Sequence, residues 1–188
     1  MDENGSGKST LIEAIAVAFG FNPEGGNKNT RFNTEDSHSQ LNEFIKIVKS
    51  FERPTDGYFL RAESFYNFAS FMDTVPDFLY TFGGDSLHQQ SHGESFMALL
   101  NNKLHGHGLY IFDEPEAALS PMRQIEALKR ITELNEDESQ FIIATHSPIL
   151  LSYPKATIYE IKNGELNKVE YTETEHFRVT KNFLDKFK

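Results

Sequence analysis

The chain has 188 residues, of which 38% are hydrophobic, enough for one domain with a buried core. It has no cysteine, which excludes disulfides and thiol catalysis, and a formal net charge of −10, which disfavours nonspecific binding to nucleic acid or anionic membranes. No apolar run approaches the roughly 20 residues of a membrane span, and the first residues lack a signal-peptide pattern. We therefore expect a cytoplasmic protein without membrane insertion, with its 17 phenylalanines in the core.

The first predicted element is a helix over residues 11–19, preceded by a loop rich in glycine and serine. Residues 3–10 end in Gly7-Lys8-Ser9, the close of a phosphate-binding loop. Glycines there let backbone N–H groups surround a phosphate, and a helix N-terminus favours anions. Lys8 would reach the β- and γ-phosphates, and the Ser9 hydroxyl would bind Mg²⁺. The nucleotide-binding candidates in this loop are Asn4, Gly5, Ser6, Gly7, Lys8, Ser9 and Thr10.

The loop departs from the pattern G-x-x-x-x-G-K-S/T at one position, because Asp2 stands where the first glycine is expected. The strand that normally precedes such a loop is also missing upstream of it. We therefore expect an N-terminally incomplete domain. Two alternatives are a plain helix cap rich in glycine and serine, and a truncated fragment that binds nucleotide without hydrolysing it.

The middle of the chain is predicted to contain two amphipathic helices and a strand. Residues 20–34 are polar and rich in glycine, as in a loop, and residues 37–40 resemble a capping box. A strand is expected over residues 58–62, and residues 75–90 are irregular. The apolar face of the first helix comprises Leu41, Phe44, Ile45 and Val48. That of the second, which Ser64 would cap, comprises Phe65, Phe68, Phe71 and Met72.

The second half alternates strands and helices. Residues 109–112 and 140–144 are apolar runs typical of strands buried in a parallel sheet. A helix is expected around residues 96–100, and Pro121 fits the first turn of another. The apolar positions of this second helix are Ile125, Leu128, Ile131 and Leu134. Asn163-Gly164 indicates a hairpin between residues 157–161 and 166–171, and residues 175–188 form a predicted helix carrying Phe183, Leu184 and Phe187.

Alternating strands and helices predict an α/β sheet, with ligands bound beyond the carboxyl ends of its strands. Asp113 and Glu114 follow one predicted strand, and His146 follows another. Asp113 could hold Mg²⁺, Glu114 could act as general base on a water, and His146 could contact the γ-phosphate. The alternatives are an ordinary strand-end turn at Asp113-Glu114 and a capping histidine at position 146.

Five segments together resemble the ATP-binding-cassette type of P-loop ATPase, over nearly the whole chain. Residues 3–10 are similar to Walker A, 109–114 to Walker B, 116–121 to the D-loop and 144–148 to the switch-histidine segment, and Ser91-His92-Gly93-Glu94 is similar to the family signature. The resemblance implies one cassette-type ATPase domain over residues 1–188, with a mostly parallel sheet flanked by helices. A small helical subregion, residues 37–105, would carry the signature.

Two of these motifs have sequences that are less similar to those of transporter subunits than to those of another branch of the superfamily. They are Asp-Glu-Pro-Glu-Ala-Ala-Leu-Ser-Pro and Ala-Thr-His-Ser-Pro. They resemble compact AAA-type ATPases related to RecF-type and chromosome-maintenance heads. In that family two subunits enclose two ATP molecules head to tail, so Ser91 and Gly93 would contact the partner's γ-phosphate while Glu94 caps backbone or faces away. Glu63 or Ser64 would take the place of the Q-loop glutamine.

The resemblance implies Mg²⁺-dependent ATP hydrolysis at a nucleotide-dependent homodimer interface, coupled to conformational change. Glu114, His146 and Lys8 would be catalytic, and Ser9 and Asp113 would hold Mg²⁺. One alternative is the ATP-binding subunit of a membrane transporter. The sequence leaves open whether DNA, a protein partner or a transported solute is what the ATP cycle drives.

Overall fold

A computed structural model describes residues 7–27, 39–61 and 92–187. Its helices are α1 (Lys8–Phe19), α2 (His92–Asn102), α3 (Pro121–Glu136), α4 (Pro148–Leu151) and α5 (Glu175–Leu184). Its strands are β1 (Gly26–Asn27), β2 (Asp56–Arg61), β3 (Gly108–Asp113), β4 (Gln140–Ala144), β5 (Ile158–Lys162) and β6 (Glu165–Val169). No helix in these residues is both long and apolar enough to cross a membrane.

The first four strands form one sheet in the order β1-β2-β3-β4. β2, β3 and β4 are parallel, and the two-residue β1 adds an antiparallel edge. The central strand β3 is buried along its whole length, as the apolar run at residues 109–112 predicts. The predicted α/β fold with a mostly parallel sheet is therefore confirmed.

Helices cover both faces of this sheet. On one face α1 packs against alternate residues of the strands, with a core of Ile12, Ala16, Phe21, Phe59, Leu109, Ile111 and Ala144. The opposite face packs against α2 and α3, and its core includes Tyr58, Leu60, Phe96, Leu100, Tyr110, Phe112, Ile131 and Leu134. Because side chains alternate along a strand, neighbouring residues of β3 serve the two cores in turn.

Several predicted elements are confirmed with shifted ends. α3 begins at Pro121 with Ser120 as its N-cap, whose Oγ accepts from the Arg123 N–H. β5 and β6 form a separate hairpin around Asn163 and Gly164, both with positive φ, as the type I′ signal predicts. α5 continues into a short 3-10 helix over Asp185–Phe187. The predicted helical subregion, residues 37–105, also contains β2, which is a strand of the central sheet.

The predicted amphipathic helix with Leu41, Phe44, Ile45 and Val48 is wrong. A 3-10 helix spans only Gln40–Phe44, and Ile45 is already extended. Phe44 and Val48 are exposed, although their spacing predicts a buried face. Apolar spacing alone does not stabilise a helix whose apolar residues stay exposed, because nucleation is costly and tertiary packing supplies most helical stability.

The expectation that the phenylalanines fill the core is also wrong in part. The structure exposes Phe44, Phe51, Phe183 and Phe187.

The buried face of α3 also differs from the predicted one. The helix buries Ile131 and Leu134, while Ile125 is more than half exposed. α3 turns Gln124 and Ala127 inward instead, so its buried stripe is shifted from the one that the apolar residues predict. The helix predicted from Ser64 and the irregular residues 75–90 lie outside the described residues.

Candidate functional site

The carboxyl ends of the parallel strands bring three chain segments side by side. Arg61 at the end of β2 is paired in register with Asp113 of β3, and Asp113 with Ala144 of β4. Glu114 and His146 therefore follow neighbouring strands at the same edge of the sheet, and the Glu114 N–H donates to the Ala144 carbonyl at 2.9 Å. The sheet edge predicted to hold the polar motifs is thus the place where they meet.

The N-terminus of α1 reaches the same edge. Gly7 caps the helix with φ of 83°, a left-handed conformation that glycine adopts without strain, and Lys8, Ser9 and Thr10 form the first turn. The Ser9 hydroxyl donates to Oδ1 of Asp113 at 3.1 Å, although the two residues are 104 positions apart. The structure therefore brings together the two residues predicted to hold Mg²⁺, while Asn4, Gly5 and Ser6 lie outside the described residues.

The donor set at Ser9 and Asp113 fits Mg²⁺. A hydroxyl and a carboxylate are hard oxygen ligands, and adjacent ligands of an octahedral ion at about 2.1 Å are separated by about 3 Å, close to the 3.1 Å found here. In the described part of the chain no cluster of three or more histidine, cysteine or acidic residues could hold a metal.

Arg61 and Glu13 belong to this site, and sequence reasoning missed both. Arg61 Nη1 lies 2.7 Å from Glu13 Oε2, and its Nε lies 3.9 Å from Asp113 Oδ2. Glu13 sits on the buried side of α1, and its other oxygen accepts the Ser39 N–H at 3.2 Å. The guanidinium thus links two carboxylates on different elements. An acidic residue inside the apolar stretch 11–19 was the signal that could have found Glu13.

Glu114 and His146 form a second pair at this edge. Glu114 Oε1 lies 3.5 Å from His146 Nε2, and both side chains are partly exposed. Glu114 has φ of 52°, which is uncommon for a residue with a side chain and turns the chain sharply after β3. Strained backbone of this kind clusters at functional sites and persists only where the surroundings impose it. The residues predicted to be base and γ-phosphate contact therefore lie together.

Glu116 holds the backbone of the segment after β4 in place. Its carboxylate accepts the Thr145 hydroxyl at 2.7 Å and the His146 N–H at 2.5 Å. The next residue, Ser147, caps α4 and donates its hydroxyl to Gln124 Oε1 at 2.5 Å. The backbone of the segment that carries His146 is thus held by Glu116 and, through Ser147, by Gln124 of α3, which lies outside every motif of the sequence.

The predicted signature segment lies at the start of α2. Gly93 packs against the 3-10 helix over Pro115–Ala118, since a Cβ at this position would lie 3.1 Å from the Ala118 carbonyl. Glu94 lies 3.6 Å from Arg123 at the surface, so its carboxylate faces α3. Ser91 and the Q-loop candidates Glu63 and Ser64 lie outside the described residues.

A parallel sheet between helices, with a Gly-Lys-Ser helix start facing an aspartate at a strand end, defines an α/β protein of the P-loop nucleotide-binding class. A family model described as an AAA domain matches residues 3–176. The chain therefore belongs to the AAA domain family, which indicates ATP binding and ATPase activity as its class of function. No curated protein and no solved structure matches the chain.

Proposed function

We propose that this AAA domain is an ATPase of the ATP-binding-cassette type, which hydrolyses Mg²⁺-bound ATP between two copies of the chain. The observation that carries the proposal is the position of the Ser9–Asp113 contact next to the Glu114–His146 pair, at one edge of the sheet. The first pair offers ligands for the metal of Mg-ATP. The second offers a base and a polar contact for the reacting phosphate.

The N-terminus of α1 would bind the phosphates. Gly7 and the first-turn backbone N–H groups present donors and the positive end of the helix dipole, and Lys8 adds a cation next to them. Ser9 and Asp113 would hold Mg²⁺, which when bound neutralises charge on the β- and γ-phosphates. Arg61 keeps the Asp113 carboxylate oriented through its contact at 3.9 Å.

Glu114 would orient and deprotonate the attacking water. Its carboxylate is partly exposed, so a water has access to it, and the residue comes directly after the end of β3. His146 Nε2, at 3.5 Å from Glu114, would hydrogen-bond the γ-phosphate and the same water. Lys8, Glu114 and His146 are therefore the proposed catalytic residues.

The dimer is proposed from the signature segment. Gly93 lies in the first turn of α2, where backbone N–H groups of a helix N-terminus favour an anion, and Ser91 precedes it in sequence. Gly93 packs against the Ala118 carbonyl, in the 3-10 helix that follows Glu114 in the same subunit. Ser91 and Gly93 would contact the γ-phosphate bound by the partner copy, so that closing the dimer completes each site and couples hydrolysis to movement of the subunits.

The experiment is Mg-ATP-dependent phosphate release by the wild-type chain and by Glu114→Gln, over a range of protein concentrations. We expect a rate that rises more steeply than linearly with protein concentration, and a loss of at least about 100-fold in the variant, with ATP binding retained. Glu138→Gln is the matched control, because Glu138 also has positive φ, 58°, but is not at this edge of the sheet. Equal phosphate release by Glu114→Gln and wild type would remove Glu114 from the mechanism.

A further inference from the structure

We propose that His176 is a positioning residue for His146, and that it holds the His146 imidazole with its Nε2–H directed at Glu114. Nδ1 of His146 lies 3.2 Å from Nε2 of His176. The ring planes are perpendicular, at 90°, with centroids 4.9 Å apart. His176 lies in the first turn of α5, beyond every motif that the sequence singles out.

The other edge of the His146 ring decides the direction of this hydrogen bond. Nε2 of His146 faces Glu114 Oε1 at 3.5 Å, and a carboxylate can only accept. A neutral imidazole has one donor and one acceptor nitrogen. If Nδ1 donated to His176, the Nε2 lone pair would face the carboxylate, acceptor against acceptor. The favourable arrangement has Nε2–H of His176 donating to Nδ1 of His146, which leaves the proton of His146 on Nε2.

The backbone next to His176 is held by contacts of the neighbouring residues. Thr174 caps α5 by accepting the Phe177 N–H at 3.3 Å, and the Glu175 N–H donates to Glu160 of β5 at 2.8 Å. The Tyr171 hydroxyl donates to the Pro148 carbonyl at 2.9 Å, two residues after His146. The start of α5 is thus joined both to the hairpin and to the segment that carries His146. The backbone that carries His176 is therefore fixed relative to the segment that carries His146.

The consequence for catalysis rests on the function proposed above. Only one tautomer of neutral His146 offers a donor at Nε2, where the γ-phosphate and the water would bind. Without His176 only the Glu114 contact at 3.5 Å still favours this tautomer, so the ring can rotate or take the other tautomer, and part of the population then lacks that donor. His176 acts through His146 and does not itself touch the nucleotide.

The first test is independent of ATP hydrolysis. Protein labelled with ¹⁵N-histidine is examined by ¹⁵N–¹H NMR at about pH 8, above the usual imidazole pKa of about 6.5. The His146 ring signals are assigned by their loss in His146→Gln. We expect His146 as the Nε2–H tautomer in wild type and a mixture of tautomers in His176→Phe, which keeps a ring but removes the donor. An Nδ1–H tautomer in wild type, or the same His146 signals in both proteins, would overturn the proposal.

The second test measures the rate. In His176→Phe we expect kcat to fall by up to about 100-fold, the loss that displacing a positioned group by about 1 Å can cause, while KM for ATP changes little. His176→Gln restores a donor and should recover most of kcat. His107→Asn is the matched control, because His107 also contacts a carboxylate, that of Glu138 at 3.0 Å, but in a pair at the surface.

The two readouts separate this proposal from the proposed function. If wild type shows the Nε2–H tautomer but releases no phosphate, the positioning contact stands and the ATPase proposal fails. If wild type releases phosphate while His176→Phe keeps both the wild-type His146 signals and the wild-type kcat, the ATPase proposal stands and His176 has no positioning role.

Discussion

Replacing Arg61 by methionine should destabilise the protein strongly, because it leaves two buried carboxylates without the cation between them. The Arg61 side chain is 21% exposed, against 11% for Glu13 and 8% for Asp113. Methionine keeps most of the length of the arginine stem, so the variant removes charge and hydrogen bonds while packing changes little. The substitution abolishes the ion pair at 2.7 Å with Glu13 and the longer one at 3.9 Å with Asp113.

The expected loss of unfolding free energy in Arg61→Met can be estimated from the burial of its ion pairs. Removing one partner of a buried ion pair costs about 3–5 kcal/mol. The partial exposure of Arg61 and the length of the second ion pair put this variant at the lower end, about 3 kcal/mol of unfolding free energy. For a chain of this size 1 kcal/mol corresponds to a Tm shift of about 2–4 °C. The expected decrease in Tm is therefore about 6–12 °C.

Urea denaturation and thermal melting of wild type and Arg61→Met provide the assay, with Arg123→Met as the matched control. Arg123 lies 3.6 Å from Glu94 with both side chains more than a third exposed, so its removal should cost less than about 1 kcal/mol. A Glu13→Gln, Arg61→Met double mutant should show a coupling of about 1–3 kcal/mol. If Arg61→Met costs no more than the control, the buried guanidinium does not hold the two carboxylates.

Two further predictions concern the glycines at the ends of α1 and the stability of the protein at alkaline pH. Gly7→Ala should cost about 1–2 kcal/mol by urea denaturation, because Gly7 has φ of 83°, which a residue with a Cβ disfavours. It should also weaken Mg-ATP affinity. Gly20→Ala, at φ of 93°, should cost similar stability and leave affinity unchanged, and equal affinities in both variants would refute a phosphate site at Gly7. Burial raises the pKa of Tyr110 and of Tyr58 well above the usual value, so both stay protonated in the folded state. Unfolding free energy should fall by about 1.4 kcal/mol per pH unit per tyrosine as pH rises above about 10, and a slope unchanged in Tyr110→Phe would contradict this.

The elements with strong local signals were predictable from the sequence. The apolar run Leu109–Phe112 became the central strand, Pro121 begins a helix and Asn163-Gly164 forms the hairpin turn. These signals lie within a few residues of the structures they specify, because backbone sterics, capping and turn chemistry act over that distance.

The candidate site was predictable only where it lies on such signals. Ser9, Asp113, Glu114 and His146 follow from motifs at a helix start and two strand ends, and the structure places them at one sheet edge. Arg61 and His176 carry no local pattern that marks them, and Glu13 is marked only as an acidic residue inside an apolar stretch. Their contacts join residues 48 and 30 positions apart.

Local sequence specifies which segments become helices and strands in most of the described chain, and which polar residues end them. Packing in three dimensions decides which faces are covered, and it leaves Phe44 and Val48 exposed despite their helical spacing. It also decides which charges meet, because the parallel register of β2 and β3 puts Arg61 beside Asp113. This division arises because local conformation depends on neighbours in the chain, whereas burial and ion pairing depend on distant segments brought together by packing.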